Sequence, residues 1–169
     1  MTELKVISSV IYSPVAKKII LGAKESHLKQ CDKLLSAAIS HSLEKFLAQL
    51  SADFLIPIPS RKSAVRLRGR QFIAEIAKEG SQKFGIPIAN PLLHRRVVRD
   101  QSGLHLADRW NNLEGAFVVE REHGLRGRVL LIDDLVTTGA TLCEAARALR
   151  YAGIEVVGAV TAALAQPLR

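Results

Sequence analysis

Thirteen consecutive residues, Val129-Leu130-Leu131-Ile132-Asp133-Asp134-Leu135-Val136-Thr137-Thr138-Gly139-Ala140-Thr141, constrain the fold of this chain more than any other stretch. Four aliphatic residues in succession predict a strand covered on both faces, as a central parallel strand is. Two aspartates follow at what should be its carboxyl end. A short loop of small hydroxylated residues around Gly139 comes next, then a helical pattern from Leu142 to Ala152. In an open α/β sheet, ligands bind outside the carboxyl ends of the strands. There the N–H groups of a small-residue loop and of a helix start converge on a phosphate. Thr137, Thr138 and Thr141 add hydroxyl donors, and Gly139 lets the backbone approach the anion closely. An acid pair beside that phosphate would repel it unless it had another task. Accepting hydrogen bonds from sugar hydroxyls, or holding Mg²⁺ indirectly through water, is such a task. A phosphate next to two vicinal hydroxyls describes a ribose 5-phosphate. The alternative is an ordinary strand–turn–helix whose polar residues merely cap the helix.

Two other phosphate-binding loops are missing: the sequence contains neither Gly-x-x-x-x-Gly-Lys-Ser/Thr nor Gly-x-Gly-x-x-Gly. A response-regulator-like acid pocket would place its acids near the first strand, not the last but one. The 169 residues suffice for one domain with a sizeable core, and 48% hydrophobic with 5% aromatic content suits aliphatic α/β packing. A net charge of +8 favours anionic partners: phosphorylated metabolites, nucleic acid or an acidic protein surface. Cys31 and Cys143 stand alone in helical patterns, which argues against a disulfide framework or zinc site and fits a reducing cytosol. No apolar run reaches the length of a membrane span and no signal peptide opens the sequence, so a soluble, cytoplasmic protein is expected.

From the amino end, Leu4 to Tyr12 predicts a short strand or extended arm, and Ser13-Pro14 a helix start. Between His27 and Leu50 the apolar positions step by three and four, an amphipathic helix. Asp53 to Pro59 is the second strand candidate, which must end there or lie at an edge because prolines cannot donate to a ladder. Arg61, Lys62, Arg66, Arg68 and Arg70 follow. They form either a loop that brings N–H groups and positive charge to a pyrophosphate, or a solvated basic turn. Leaving the carboxyl end of a strand, this segment would face the same crevice as the acid pair. A helix from Phe72 closed by Gly85, a short strand Ile86-Pro87-Ile88 and a strand beginning at Leu92 and reaching toward Val98 come next. Residues 99–114 read as a long polar loop that closes over a site, against the alternative of a plain hairpin tip. Gly115 to Val119 resumes a strand, and Ile154 to Ala163 is the last.

The central stretch resembles the phosphoribosyl-pyrophosphate (PRPP) fingerprint of type I phosphoribosyltransferases over all thirteen positions: aliphatic strand, two acids, two aliphatics, Thr-Thr-Gly-x-Thr. Over nearly its whole length the chain is similar to the ComF/GntX branch of that family, associated with DNA uptake in competent bacteria. Three stretches carry the likeness: Tyr12 through Lys24; Ile56-Pro57-Ile58-Pro59 with Arg68-Gly69; and Gln101-x-x-Leu104 through Arg109-x-x-Asn112-x-x-Gly115-Ala116-Phe117. There are two departures. Members often begin with a cysteine-rich zinc-binding module, which this sequence lacks. Arg68-Gly69-Arg70-Gln71-Phe72 stands where the family usually reads Arg-Gly-Phe-Asn-Gln.

The resemblance implies an α/β, type I phosphoribosyltransferase fold over residues 1–169: a mainly parallel five-stranded sheet flanked by helices, a small hood supplied in part by residues 1–50, and a flexible loop at 99–114. It implies transfer of phosphoribosyl from PRPP to a nitrogenous acceptor, with Mg²⁺ as cofactor. Thr137, Thr138, Gly139, Ala140 and Thr141 would hold the 5-phosphate. Asp133 and Asp134 would bind the ribose hydroxyls, favour the developing cation and hold Mg²⁺ through water. Pro59, Ser60, Arg61 and Lys62 would face the pyrophosphate, and Arg109 would close over it, which makes Asp133, Asp134 and Arg109 the expected catalytic set. Two other classes stay open. One is a non-catalytic PRPP- or nucleotide-binding accessory protein of DNA uptake, partnered by single-stranded DNA or a DNA-uptake helicase. The other is a single-strand binder using Arg61 to Arg70, where Phe72 alone lies close by as a stacking group. An oligomer is compatible with each. Trp110 and Phe117 are candidates to stack on a base, against a buried structural role.

Overall fold

The computed structural model describes residues 3–26, 28–95, 115–120 and 124–165. In chain order they form β1 (Val6–Ile11), α1 (Pro14–Ser26), α2 (Lys29–Leu47), β2 (Phe54–Pro57), α3 (Lys62–Arg68), α4 (Phe72–Phe84), β3 (Leu92–His94), β4 (Phe117–Val119), β5 (Arg128–Val136), α5 (Ala140–Tyr151) and β6 (Glu155–Leu164). The main sheet has the order β1-β6-β5-β2, with every pair parallel. The apolar run of β5 is thus central, and its period of two serves both faces. Leu130 and Ile132 enter a core with α2 and α4, while Val129 and Leu131 enter one with α5. All four are fully buried. On β6, Gly158 admits the ring of Phe46 from α2: a Cβ there would sit 2.5 Å from that ring and 2.8 Å from the carbonyl of Lys5.

Several expectations change on folding. The sheet has four strands among the described residues, not five. Ile86-Pro87-Ile88 contributes a single parallel bridge to the outer edge of β2, in which the N–H of Leu55 donates to Pro87 and that of Ala89 to Leu55, both at 2.9 Å. Proline 87 has no N–H to extend that ladder. The Leu4–Tyr12 segment is an edge strand, not a free arm, because β6 is ten residues long and offers it a parallel partner. The basic segment after Pro59 is not a loop throughout: Lys62 to Arg68 is helical and closes on Gly69 in the left-handed region, φ 69°. Its Ala, Val, Leu and Arg residues are competent helix formers once a glycine ends the run. Leu92–His94 pairs antiparallel with Phe117–Val119 in a separate ribbon. Residues 99–114, with Arg109 and Trp110, lie outside the described residues, as does His27.

Candidate functional site

Asp133 and Asp134 stand in the last four residues of β5, and the turn Pro59-Ser60-Arg61 leaves β2 beside it. The two strands are parallel neighbours, so both segments open at the same end of the sheet. They line one crevice of about 480 Å³, together with Lys24 of α1, Thr141 of α5, Arg68 of α3, and His94 and Phe117 of the small ribbon.

The electrostatics centre on the acids. The Nζ of Lys24 lies 2.6 Å from Oδ2 of Asp134 and 5.6 Å above the ring of Phe72. The N–H of Asp134 donates to Oδ1 of Asp133 at 2.9 Å. Burial of its carboxyl, with the charge of Asp134 beside it, pushes the Asp133 acid well above the usual carboxylate range, and Lys24 acts against that rise. The crevice therefore holds one carboxylate paired with a cation and a second that resists ionisation.

The hydroxyl loop divides. Gly139 has φ 77°, a left-handed turn that a β-carbon would strain, and α5 starts directly after it. The N–H of Ala140 donates to Oγ1 of Thr138 at 3.3 Å. Thr141 faces the crevice with the acids, whereas Thr137, Thr138 and Gly139 line an adjoining cavity of about 590 Å³ with Ser8, Ser9 and Lys45. Ala140 is buried between. The basic turn divides too. Pro59, Ser60 and Arg61 line the acid crevice, but Lys62 points to a neighbouring cavity with Gln71 and Asn90. The turn is pinned from both sides: Nε2 of His94 donates to the Pro59 carbonyl at 3.0 Å, and the Ser60 N–H reaches Oε1 of Gln71 at 3.4 Å.

Lys24, Arg68, Phe72 and His94 line the crevice without having been assigned a role there. Lys24 sits in a stretch that carried the family likeness, its one signal; Arg68 sits in another and also in the basic segment expected to face this crevice, and Phe72 was noted only as a stacking group for single-stranded nucleic acid. His94 had none. Arg70, the departure from the family's pattern, does not enter the crevice. Its guanidinium makes a two-pronged pair with Asp32 at 2.8 and 3.0 Å, donates to the Ala23 carbonyl at 2.7 Å and reaches Glu75 at 3.3 Å. Those bonds tie α1, α2 and α4 together behind the site, and Asp32 foremost holds the Arg70 charge in place.

Comparison with known proteins agrees with this architecture. The family model described as "Phosphoribosyl transferase domain" matches residues 74–167. The chain is 35% identical over 109 residues to Competence protein F of Haemophilus influenzae, a match covering 62% of this chain and 47% of that protein; it spans about half of that relative's length. It is 27% identical over 150 residues to an orotate phosphoribosyltransferase of Corynebacterium glutamicum, covering 81% of this chain and 79% of that one. Among solved structures, an adenine phosphoribosyltransferase superposes with a TM-score of 0.51 at 10% identity, over 82% of this chain and 72% of the other, a likeness of fold. The shared architecture is the parallel sheet flanked by helices.

Proposed function

We propose, from the premise that this chain belongs to the phosphoribosyl transferase domain family, that its crevice binds PRPP with Mg²⁺ and transfers the phosphoribosyl group to a nitrogenous acceptor. One observation carries the reading: Asp133, Asp134 and Thr141 share a single crevice with Pro59, Ser60 and Arg61. Carboxylates suit ribose hydroxyls, which donate to them; the hydroxyl and first-turn N–H groups of α5 suit a phosphate; Arg61 suits a second anion. Thr137 to Gly139 would reach the 5-phosphate from the adjoining cavity. Arg109 would act from outside the described residues.

Mg²⁺ fits the donor set. It prefers oxygen ligands, keeps several waters and takes one or two carboxylates plus substrate phosphates, not an all-protein cage. Asp133 and Asp134 are such carboxylates, and no group of three or more His, Cys, Asp or Glu gathers among the described residues. Held there through water by Asp133 and Asp134, the ion would supply positive charge to offset that of the departing pyrophosphate. The chain's own residues position and stabilise. Asp133 and Asp134 orient the ribose and favour positive charge developing at C1, and Lys24, 2.6 Å from Oδ2, holds Asp134 in place. The Pro59 turn receives the leaving pyrophosphate. Transfers of this kind ask mainly for alignment and preorganised charge.

Calorimetric titration with Mg-PRPP tests the reading. One-site binding to the native chain that Asp134→Asn abolishes supports it; unchanged affinity in that variant removes the ribose assignment. The 35% identity to Competence protein F favours a second reading, a PRPP- or nucleotide-binding accessory of DNA uptake without turnover. Binding of Mg-PRPP with no pyrophosphate release on addition of any nucleobase would select it. Salt-sensitive binding of single-stranded DNA would add the nucleic-acid partner.

A further inference from the structure

Asp133 and Asp134 stand side by side at the end of a buried strand, and burying acids together is costly without a cation. The chain supplies its own. The Nζ of Lys24 stands 2.6 Å from Oδ2 of Asp134, whose side chain is only 7% exposed. That oxygen is buried and accepts no hydrogen bond among the described residues, so the approach of Nζ is a charge contact without hydrogen-bond alignment. Such a pair can be exchanged. The acceptor still lacks a directed donor, and a lysine is a compact point charge on a flexible four-carbon stem. Its side chain is 25% exposed, so Nζ can turn outward while the helix stays in place. The backbone around it is held more firmly. Arg68 pairs with Glu25 at 2.9 Å, and Arg70 donates to the carbonyl of Ala23 at 2.7 Å. Two arginines flanking Gly69 thus grip the residues on either side of Lys24. The lysine is fixed at its base and free to turn at its tip, with the ring of Phe72 5.6 Å from Nζ as a second weak attraction.

We infer that Lys24 is a built-in counter-cation that competes with a divalent ion for the acid pair, so that the metal enters with a phosphorylated ligand and not before it. The inference deepens the phosphoribosyl reading above and rests on it for the identity of that ligand. A bare divalent ion meets acids whose charge is already offset, and Mg²⁺ gives up its hydration water reluctantly, so it gains little by displacing the lysine. Ligand phosphates change the balance in two ways. They give the ion further oxygen ligands, and they give the displaced ammonium an anion of its own within the same crevice. Metal and phosphate therefore bind with positive coupling. The grip of Arg68 and Arg70 has a purpose in this scheme: it keeps the tethered cation opposite Asp134, to which it returns when the ligand leaves.

Mn²⁺ alone is the probe: it takes the same carboxylate and water ligands as Mg²⁺, and electron paramagnetic resonance reads its binding directly. The native chain, Lys24→Met and Lys24→Arg are titrated with it. Methionine keeps a stem over Phe72 and removes the charge, whereas arginine keeps the charge. Loss of the competing charge should tighten Mn²⁺ binding about tenfold or more in Lys24→Met, while Lys24→Arg stays with the native chain. A second measurement needs no variant and so survives a failure of Lys24→Met to fold. Acetylation of Lys24 in the native chain is followed by mass spectrometry against the exposed Lys17 and Lys18. It should be slower than both in the free chain and become comparable with them on saturation with Mn²⁺. Unchanged Mn²⁺ affinity in folded Lys24→Met, or Lys24 acetylation that does not rise with Mn²⁺, overturns the counter-cation. A lysine that merely gripped phosphate would give that result, with weaker binding of ribose 5-phosphate in Lys24→Met. Mg-PRPP titrated into the native chain keeps the two readings apart. If it binds while Mn²⁺ affinity ignores the change at Lys24, the counter-cation falls and the phosphoribosyl reading stands. If it fails to bind the folded native chain while Lys24→Met gains Mn²⁺, the phosphoribosyl reading falls, and release by a phosphorylated ligand falls with it.

Discussion

Asp133 works against the stability of the chain that carries it. Its folded-state acid is held above the usual range by burial and by Asp134, with Lys24 opposing. The folded chain therefore binds a proton more tightly there than the unfolded chain, and stability falls as pH rises from the ordinary carboxylate value toward the folded one. That loss grows as the pH climbs above the ordinary carboxylate range. Asp133→Asn removes the charge and keeps the shape, so it should raise Tm at neutral pH while weakening Mg-PRPP binding. The gain should disappear in acid, where the native residue is itself protonated. Thermal melts of both chains across pH check this; a lower Tm for the variant at neutral pH refutes the account. An active-site group that costs stability in the free protein is expected where function requires like charges side by side. The partner of Asp134 could not have been read from sequence: Lys24 is more than a hundred positions away, and nothing in its local pattern distinguishes it from Lys17 or Lys18.

Helices α1, α2 and α4 are joined at one point by Arg70, which lies only 13% exposed between Asp32 and Glu75 with the Ala23 carbonyl beneath it. Arg70→Met keeps the aliphatic stem but leaves Asp32 and the carbonyl without their donor. Hydrogen bonds to charged groups contribute about 1.5–3 kcal/mol each, and partial exposure of Asp32 and Glu75 reduces the sum, so a loss of about 2 kcal/mol is expected. For a chain of this size that is roughly 4–8 °C in Tm. A change within 1 °C, well under the roughly 2–4 °C per kcal/mol for this size, would mean water replaces the guanidinium at no cost. Elements with a strong period were legible beforehand: β5 from its continuous aliphatic run, α2 and α4 from apolar steps of three and four, and the Ser13 cap of α1, which accepts the Ala16 N–H at 3.2 Å. The α3 helix was hidden because five basic residues in ten suggest a solvated turn, and the helical competence of Ala64, Val65 and Leu67 does not alter the charge pattern. The fifth strand was overread because Ile86-Pro87-Ile88 has the right composition, while the proline limits it to one bridge. At the site, the acids, Thr141 and the Pro59 turn were legible from the strand-end rule. His94 was not, because it enters through a three-residue strand with too short a pattern to assign a face.

At the scale of the molecule, β5 belongs to both cores. Leu130 and Ile132 pack with α2 and α4, Val129 and Leu131 with α5, so neither side of the sheet can melt while the other keeps its central strand. Unfolding should be a single transition, with side-chain and backbone circular dichroism signals coincident. The proposed ligand touches both sides through the same strand: Asp134 is tied to α1 by Lys24, and Thr141 lies in the first turn of α5. Mg-PRPP at a hundredfold excess over its Kd would add about 2.7 kcal/mol to the native state. With roughly 2–4 °C per kcal/mol for a chain of this length, Tm should rise by about 5–11 °C, and both signals should move together. Inorganic phosphate would fill only one end of the proposed site and should give a smaller shift at the same free concentration. If Mg-PRPP moved only one of the two signals, the cores would be independent and β5 would not couple them. If it moved neither, while the native transition remained cooperative, the fold would be intact and the acid crevice would bind something other than PRPP.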